Sequence, residues 1–309
     1  MASDYESLID AQTWAFIHKT AAMYPDDTVD TDIVEQRRIY DNMAEAFRAP
    51  WPAGVSTEDI SADGVPVRVY TAGEPGVVVI YLHGGGFVVG GLESHDDVCA
   101  ELCAGSGYRV VSVDYRLAPE HKHPAAFDDA WTALEWVSKR YDCPLVLAGD
   151  SAGANLVAAV AHHARGRKNG IRGQVLVYPV LGGDPSAQSY RDHANAPMLT
   201  AAELSIYGSM RCDGPPPVGD PTYAPLQDSD FSNLPPTVIF TAECDPLASD
   251  GPAYRDAIIA AGGRAQLFEE AGLVHGYLRA RKMAARAANS FERIVLAVEA
   301  LGQGIWSYE

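Results

Sequence analysis

From about residue 65 the chain alternates short apolar runs with longer stretches in which apolar positions recur every three or four residues. The short runs Val65–Tyr70, Gly76–Leu82, Arg109–Asp114, Pro144–Ala148, Gln174–Tyr178, Thr237–Thr241 and Ala265–Phe268 predict strands. Several are apolar at consecutive rather than alternate positions, the pattern of strands covered on both faces. Helices are expected between them. One has Ser94 as N-cap, one opens at Pro124 with Phe127, Trp131 and Leu134 on one stripe, one starts just after Ser151, and one follows Ser249. A last helix runs from about Tyr277 to Leu301. Such alternation predicts an α/β fold with a mostly parallel central sheet flanked by helices.

Two segments stand outside this rhythm. Residues 1–50 read as two amphipathic helices, one with Leu8, Trp14 and Ile17, the other with Ile33, Tyr40 and Phe47. Residues 181–225 are polar, proline-rich and irregular, including Pro215–Pro217. So long an irregular stretch inside a compact domain is a lid or a linker. Together the two segments predict a cap over the carboxyl edge of the sheet; packing of the N-terminal helices on the back of the sheet is the alternative. The expected organisation is a helical part of the cap over 1–50 and a main domain over 51–309, with a cap insertion at about 181–225.

Charge narrows the partners. With 23 basic and 41 acidic residues the net charge is −18, which opposes nucleic acid, anionic membranes and anionic substrates and favours a small neutral one. The five cysteines form no CxxC pair, so no metal site of the finger type is expected. Cys99 and Cys103 stand one helical turn apart and read as two small buried residues. The N-terminus, MASDYESLID, has no basic segment leading into an apolar run, and Val77–Leu82 is too short to span a bilayer. A soluble cytoplasmic protein without stable membrane association is expected.

Candidate chemistry is concentrated at strand ends. Gly149-Asp150-Ser151-Ala152-Gly153 follows the run Val146-Leu147-Ala148 and precedes an apolar helical stretch with Leu156, Val157 and Val160. A serine at such a strand–turn–helix junction is held in a strained conformation with its hydroxyl at a helix N-terminus, where partial positive charge favours a developing anion. His83-Gly84-Gly85-Gly86 directly follows another predicted strand. Its glycines let backbone N–H groups point into a cavity and, with the N–H of Ala152, receive the oxyanion of acyl transfer. A phosphate loop is the other use of such glycines, but neither GxxxxGK[ST] nor GxGxxG is present. A hydrolytic serine needs a base and an acid that orients it. His275 alone among the nine histidines follows the last predicted strand. The others, His162 and His163 among them, suit solvated or structural roles. Asp245, beside Pro246, is the leading acid; Glu243 and Asp250 are the alternatives.

Taken together, His83-Gly-Gly-Gly-Phe87, Tyr115-Arg-Leu-Ala-Pro-Glu120, Gly149-Asp-Ser-Ala-Gly153, Asp245-Pro-Leu and His275-Gly resemble the hormone-sensitive lipase family of esterases, in order and spacing over roughly residues 65–300. The resemblance implies an α/β-hydrolase fold with a helical cap and a Ser151–Asp245–His275 triad. It also implies an oxyanion hole from Gly85, Gly86 and Ala152, and hydrolysis of short- to medium-chain carboxylic esters without a cofactor. Some members dimerise, so a homodimer is an expected arrangement. After Asp245-Pro-Leu the family continues Arg-Asp-Glu, where this chain has Ala248-Ser249-Asp250-Gly251 and so lacks a nearby positive charge. Arg116 and Glu120 are expected to be buried and to satisfy one another near the nucleophile turn. Tyr190 and Leu199, with Asp192 and Met198, are candidates for the substrate-pocket wall. An amidase, deacetylase or lactonase using the same triad, or a non-catalytic ligand-binding protein, are the rival readings.

Overall fold

The computed structural model describes residues 4–25, 31–167 and 170–308. Its strands are β1 (Ser56–Ala62), β2 (Val65–Thr71), β3 (Val78–Leu82), β4 (Arg109–Val113), β5 (Leu145–Asp150), β6 (Ile171–Val177), β7 (Thr237–Cys244) and β8 (Ala265–Val274). They form one sheet in the order β1-β2-β4-β3-β5-β6-β7-β8. β2 runs antiparallel to both of its neighbours, and every pair from β4 onward along that order is parallel.

β1 has no apolar signature. Its sequence, Ser-Thr-Glu-Asp-Ile-Ser-Ala, lies at the sheet edge and is largely exposed. The tight hairpin at Asp63-Gly64, both with positive φ (49° and 102°), ties it to β2, and that Asp-Gly pair is the signal from which the strand can be read.

The helices are α1 (Tyr5–Leu8), α2 (Ala11–Ala21), α3 (Ile33–Phe47), α4 (Asp96–Ser106), α5 (Ala125–Arg140), α6 (Ala152–His163), α7 (Gln188–Asp192), α8 (Ala201–Arg211), α9 (Asp250–Ala260) and α10 (Ala285–Gly302). Successive residues of β3 feed opposite cores: Val79 and Tyr81 pack with α4, α10 and the N-terminal helices, whereas Ile80 and Leu82 pack with α5, α6 and α9. That is why β3, and β5 from Leu145 to Ala148, are apolar at every position.

Three expectations change. The last helix does not begin at Tyr277; residues Tyr277–Lys282 form a 3₁₀ turn after Gly276 (φ 75°), and α10 starts at Ala285. Tyr277, Leu278, Ala280 and Arg281 are all buried there, four of its six residues, so the segment does not alternate a buried and a solvent face as an amphipathic helix would. The segment at 181–225 is not wholly irregular: α8 begins with a capping box in which Thr200 and Glu203 bond reciprocally, a Thr-x-x-Glu signal present in the sequence. Ser94 lies inside a 3₁₀ turn and bonds the backbone of Gly91 rather than capping a helix. No helix among the described residues is long and apolar enough to cross a membrane.

Candidate active site

Parallel strands end on one edge of the sheet, and the turns after β3, β5, β7 and β8 meet there. β5 leads into Ser151, which has φ 51° and ψ −117°, a conformation held because the next residue starts α6. The Ser151 amide donates to the Val177 carbonyl at 2.9 Å, locking the turn against β6. A Cβ at Gly153 would overlap the carbonyls of Leu82 and His83, so only glycine lets α6 approach β3 this closely.

His275 follows β8, and its Nε2 lies 2.9 Å from Ser151 Oγ. Its Nδ1 lies 2.7 Å from Asp245 Oδ2. Asp245 follows β7 and caps the 3₁₀ turn Pro246–Ser249, its Oδ1 accepting the Leu247 N–H at 2.9 Å. Both oxygens of this buried carboxylate are therefore engaged. Glu243 points elsewhere and accepts the Gly272 amide at 2.7 Å.

Gly85 and Gly86, with φ of 126° and 60°, line the same cavity as Ser151 and His275. A Cβ at Gly85 would run into the Val89 carbonyl. Among the described residues, neither the Gly85 nor the Gly86 N–H has a hydrogen-bond acceptor. The neighbouring Gly84 N–H is taken by Asp150 Oδ1 at 3.0 Å. Ala152 is fully buried as the first residue of α6, where N–H groups lack intrahelical acceptors.

Asp150, just before Ser151, also accepts from the hydroxyls of Tyr81 (2.8 Å) and Tyr178 (3.2 Å), and its Oδ2 lies 3.4 Å from His95 Nε2. Burial pushes its carboxyl up, but the fields and hydrogen bonds of His95, Tyr81 and Arg279 outweigh that and hold it below the usual range. It stays an anion and ties the Gly84 turn to the Ser151 turn. His83 is pushed down to about 3 by burial and by His95, so its ring is neutral. It stacks on Tyr115 at 4.3 Å, and the Tyr115 hydroxyl donates to the His83 carbonyl at 2.6 Å.

The Tyr115–Glu120 segment thus braces the glycine loop, but not as expected. Arg116 pairs with Asp129 on α5, and Glu120 pairs with Arg37 on α3. Both side chains are about half exposed, 48% and 46%, because they diverge toward different helices rather than meeting. Arg37 also donates to the carbonyls of Val88 and Ala118, fastening α3 to the loop.

A cavity of about 580 Å³ opens onto Ser151. Its walls include Ile17, Tyr40 and Phe47 from the N-terminal helices and Met198, Leu199 and Leu204 from the segment after β6. Leu199 and Met198 line this wall. Tyr190 does not: it lies outside the cavity and donates its hydroxyl to Asp250 Oδ1 at 3.1 Å. Asp192 is likewise off the wall, accepting from Gln188. Among the described residues no group of three or more His, Cys, Asp or Glu side chains is arranged to hold a metal ion. His162 serves structure, bonding Asp228 and Tyr254.

Asp250, standing where the resembled family places a different loop sequence, is a buried acid whose Oδ2 accepts the Leu181 amide at 2.7 Å and the Gly183 amide at 3.4 Å. Burial outweighs these bonds and raises its carboxyl to about 6. The folded value lies above the ordinary 3.8, so Asp250's stabilising contribution is present at low pH and is lost as pH rises through about 6. Asp250→Asn retains the acceptor and removes the titration. Unfolding by urea at pH 4.5 and 7.5 is expected to show wild type losing about 2 kcal/mol relative to the variant across that interval. A constant difference at the two pH values contradicts this.

The residues from 79 to 279 match the family model of the α/β-hydrolase fold. Carboxylesterase NlhH of Mycobacterium tuberculosis is 38% identical over 253 residues, covering 76% of this chain and 78% of that protein. Ethyl acetate hydrolase of Pseudomonas putida is 34% identical over 252 residues, covering 77% of this chain and 78% of that protein. The solved Pyrobaculum calidifontis esterase superposes with a TM-score of 0.85 at 33% identity, covering 95% of this chain and 99% of that one. The chain belongs to the α/β-hydrolase fold family, in its hormone-sensitive-lipase-like carboxylesterase branch. It is a carboxylic ester hydrolase.

Proposed function

We propose that Ser151 is the nucleophile, His275 its general base and acid, and Asp245 the group that orients His275. The observation that carries this reading is the imidazole of His275, within 2.9 Å of the serine hydroxyl on one side and 2.7 Å of the carboxylate on the other. His275 Nε2 takes the hydroxyl proton as Oγ attacks the ester carbonyl carbon. The carbonyl π-electrons move to oxygen, and the oxyanion is received by the N–H groups of Gly85, Gly86 and Ala152. His275 then gives its proton to the departing alcohol oxygen as the carbon–oxygen bond breaks, leaving an acyl-enzyme. Water, deprotonated by the same ring, attacks the acyl carbon and releases the acid and Ser151. Only the neutral ring has the lone pair that accepts the first proton.

The substrates in this reading are short- to medium-chain esters. Apolar side chains such as Ile17, Phe47, Met198 and Leu199 form part of the wall of this cavity, which suits a small acyl group. The net charge of −18 repels anions at long range, which makes uncharged esters the reference substrates. In a series of p-nitrophenyl esters from acetate to palmitate, kcat/KM is expected to be highest among the acetate to octanoate members. Palmitate should be slower by roughly tenfold or more. Palmitate turnover equal to that of butyrate overturns the chain-length assignment.

A further inference from the structure

Arg211, the last residue of α8, lines the cavity while more than nine-tenths buried. Its guanidinium lies between two rings, 3.6 Å from the centroid of Phe87 and 4.1 Å from that of Tyr223. Nη1 donates to the Tyr223 carbonyl at 2.9 Å and Nη2 to Asn155 Oδ1 at 3.1 Å. Both acceptors are neutral. A guanidinium carries five N–H donors, so three have no protein acceptor among the described residues, and no described carboxylate lies within 4 Å. Burial lowers its pKa only to about 10, and it remains a cation at neutral pH.

The other charged side chains of the wall are held by ion pairs, by neutral partners or by the field of a nearby charge. Asp97 pairs with Arg281, Asp150 faces His95, and Glu203 accepts from the amide and hydroxyl of Thr200. Arg279 donates to Tyr40 and lies in the field of Asp150. Asp220, whose field reaches Arg211, is held by Thr222 and His123. A buried charge without a counter-ion is destabilising, and a neutral side chain of similar length would bridge Phe87 and Tyr223 without that cost. The position explains it. Asn155 lies one helical turn beyond Ser151, and Phe87 directly follows Gly86, which puts the guanidinium within roughly 10 Å of the nucleophile.

We infer that Arg211 receives a carboxylate carried by the substrate, so that the cavity selects esters with a free carboxylate a few bonds from the scissile carbonyl, such as half-esters of dicarboxylic acids. The inference rests on the reading of this cavity as the ester-binding site. Long-range repulsion by the net charge slows the approach of such an anion, whereas Arg211 acts at contact, where a planar fork of donors matches a carboxylate. An uncharged isostere leaves those donors unpaired, which is how a buried polar site discriminates.

The test compares mono-p-nitrophenyl adipate with its amide isostere, p-nitrophenyl 5-carbamoylpentanoate, in wild type and Arg211→Gln. The ratio of kcat/KM for the acid over the amide is expected to fall at least tenfold in the variant; a smaller change overturns the inference. Should the variant fail to fold, inhibition of wild-type p-nitrophenyl butyrate hydrolysis decides. Adipate should inhibit competitively at concentrations at least tenfold lower than adipamide, and equal or weaker inhibition by adipate overturns it. Hydrolysis of the uncharged butyrate ester by wild type reports the ester-hydrolase reading separately. Its absence counts against that reading, whereas its presence with no acid preference counts against Arg211 alone.

Discussion

Ser151→Ala lowers turnover of p-nitrophenyl butyrate by about 10⁴-fold or more. The expectation follows from the proposed role of the hydroxyl oxygen, which is to bond to the acyl carbon; the methyl left behind offers no lone pair. The variant keeps the fold, because Ser151 contributes its backbone to the turn through its amide, and among the described residues its side chain bonds His275 alone. KM is expected to change little, since the cavity wall is intact. A fluorophosphonate probe should label wild type at Ser151, as read by mass spectrometry of the peptide, and leave the variant unlabelled. Retention of more than a hundredth of wild-type turnover in Ser151→Ala, or labelling at another residue, contradicts the assignment.

Asp245→Asn is expected to lower kcat by about 10³- to 10⁴-fold with little change in KM. The reason lies in the two oxygens of Asp245. One accepts the Leu247 N–H and the other faces His275 Nδ1. An asparagine must turn its carbonyl oxygen to the Leu247 amide, which presents its NH₂ to Nδ1. That nitrogen must then accept, so the imidazole proton moves to Nε2 and faces Ser151. A ring in that tautomer has no lone pair for the serine proton. Glu243→Gln is the matched control: Glu243 binds the Gly272 amide, away from the ring, and its loss should cost less than tenfold. An equal effect of the two changes would exclude Asp245 as the orienting group.

Much of the scaffold is legible in the sequence because local sterics restrict the residue types allowed. A strand covered on both faces has to be apolar at consecutive positions, and β3 and the stretch Leu145–Ala148 of β5 read that way without any partner being known. The turn at Ser151 demands glycine at 153, and the loop at 85–86 demands residues that tolerate positive φ, so both carry short and specific signatures. The Thr200–Glu203 capping box and the Asp63-Gly64 hairpin are equally local, and they mark elements that the hydrophobic pattern alone passes over.

Partners are a different matter. Nothing in the spacing of Tyr115–Glu120 says that Arg116 reaches α5 while Glu120 reaches α3, since that depends on where two helices from distant parts of the chain come to rest. Tyr190 was a plausible wall residue by position, yet the buried Asp250 draws its hydroxyl away from the cavity. Arg211 has no sequence signature at all; only the approach of Phe87, Asn155 and Tyr223 makes it a buried cation without a counter-ion. By itself the sequence determined seven of the eight strands of the sheet and which residue types stand at their carboxyl ends, because periodicity and backbone strain act within a few residues. The tertiary structure decided which side chains meet, which charges are matched and which face the cavity, because burial and electrostatic pairing depend on segments that are distant along the chain.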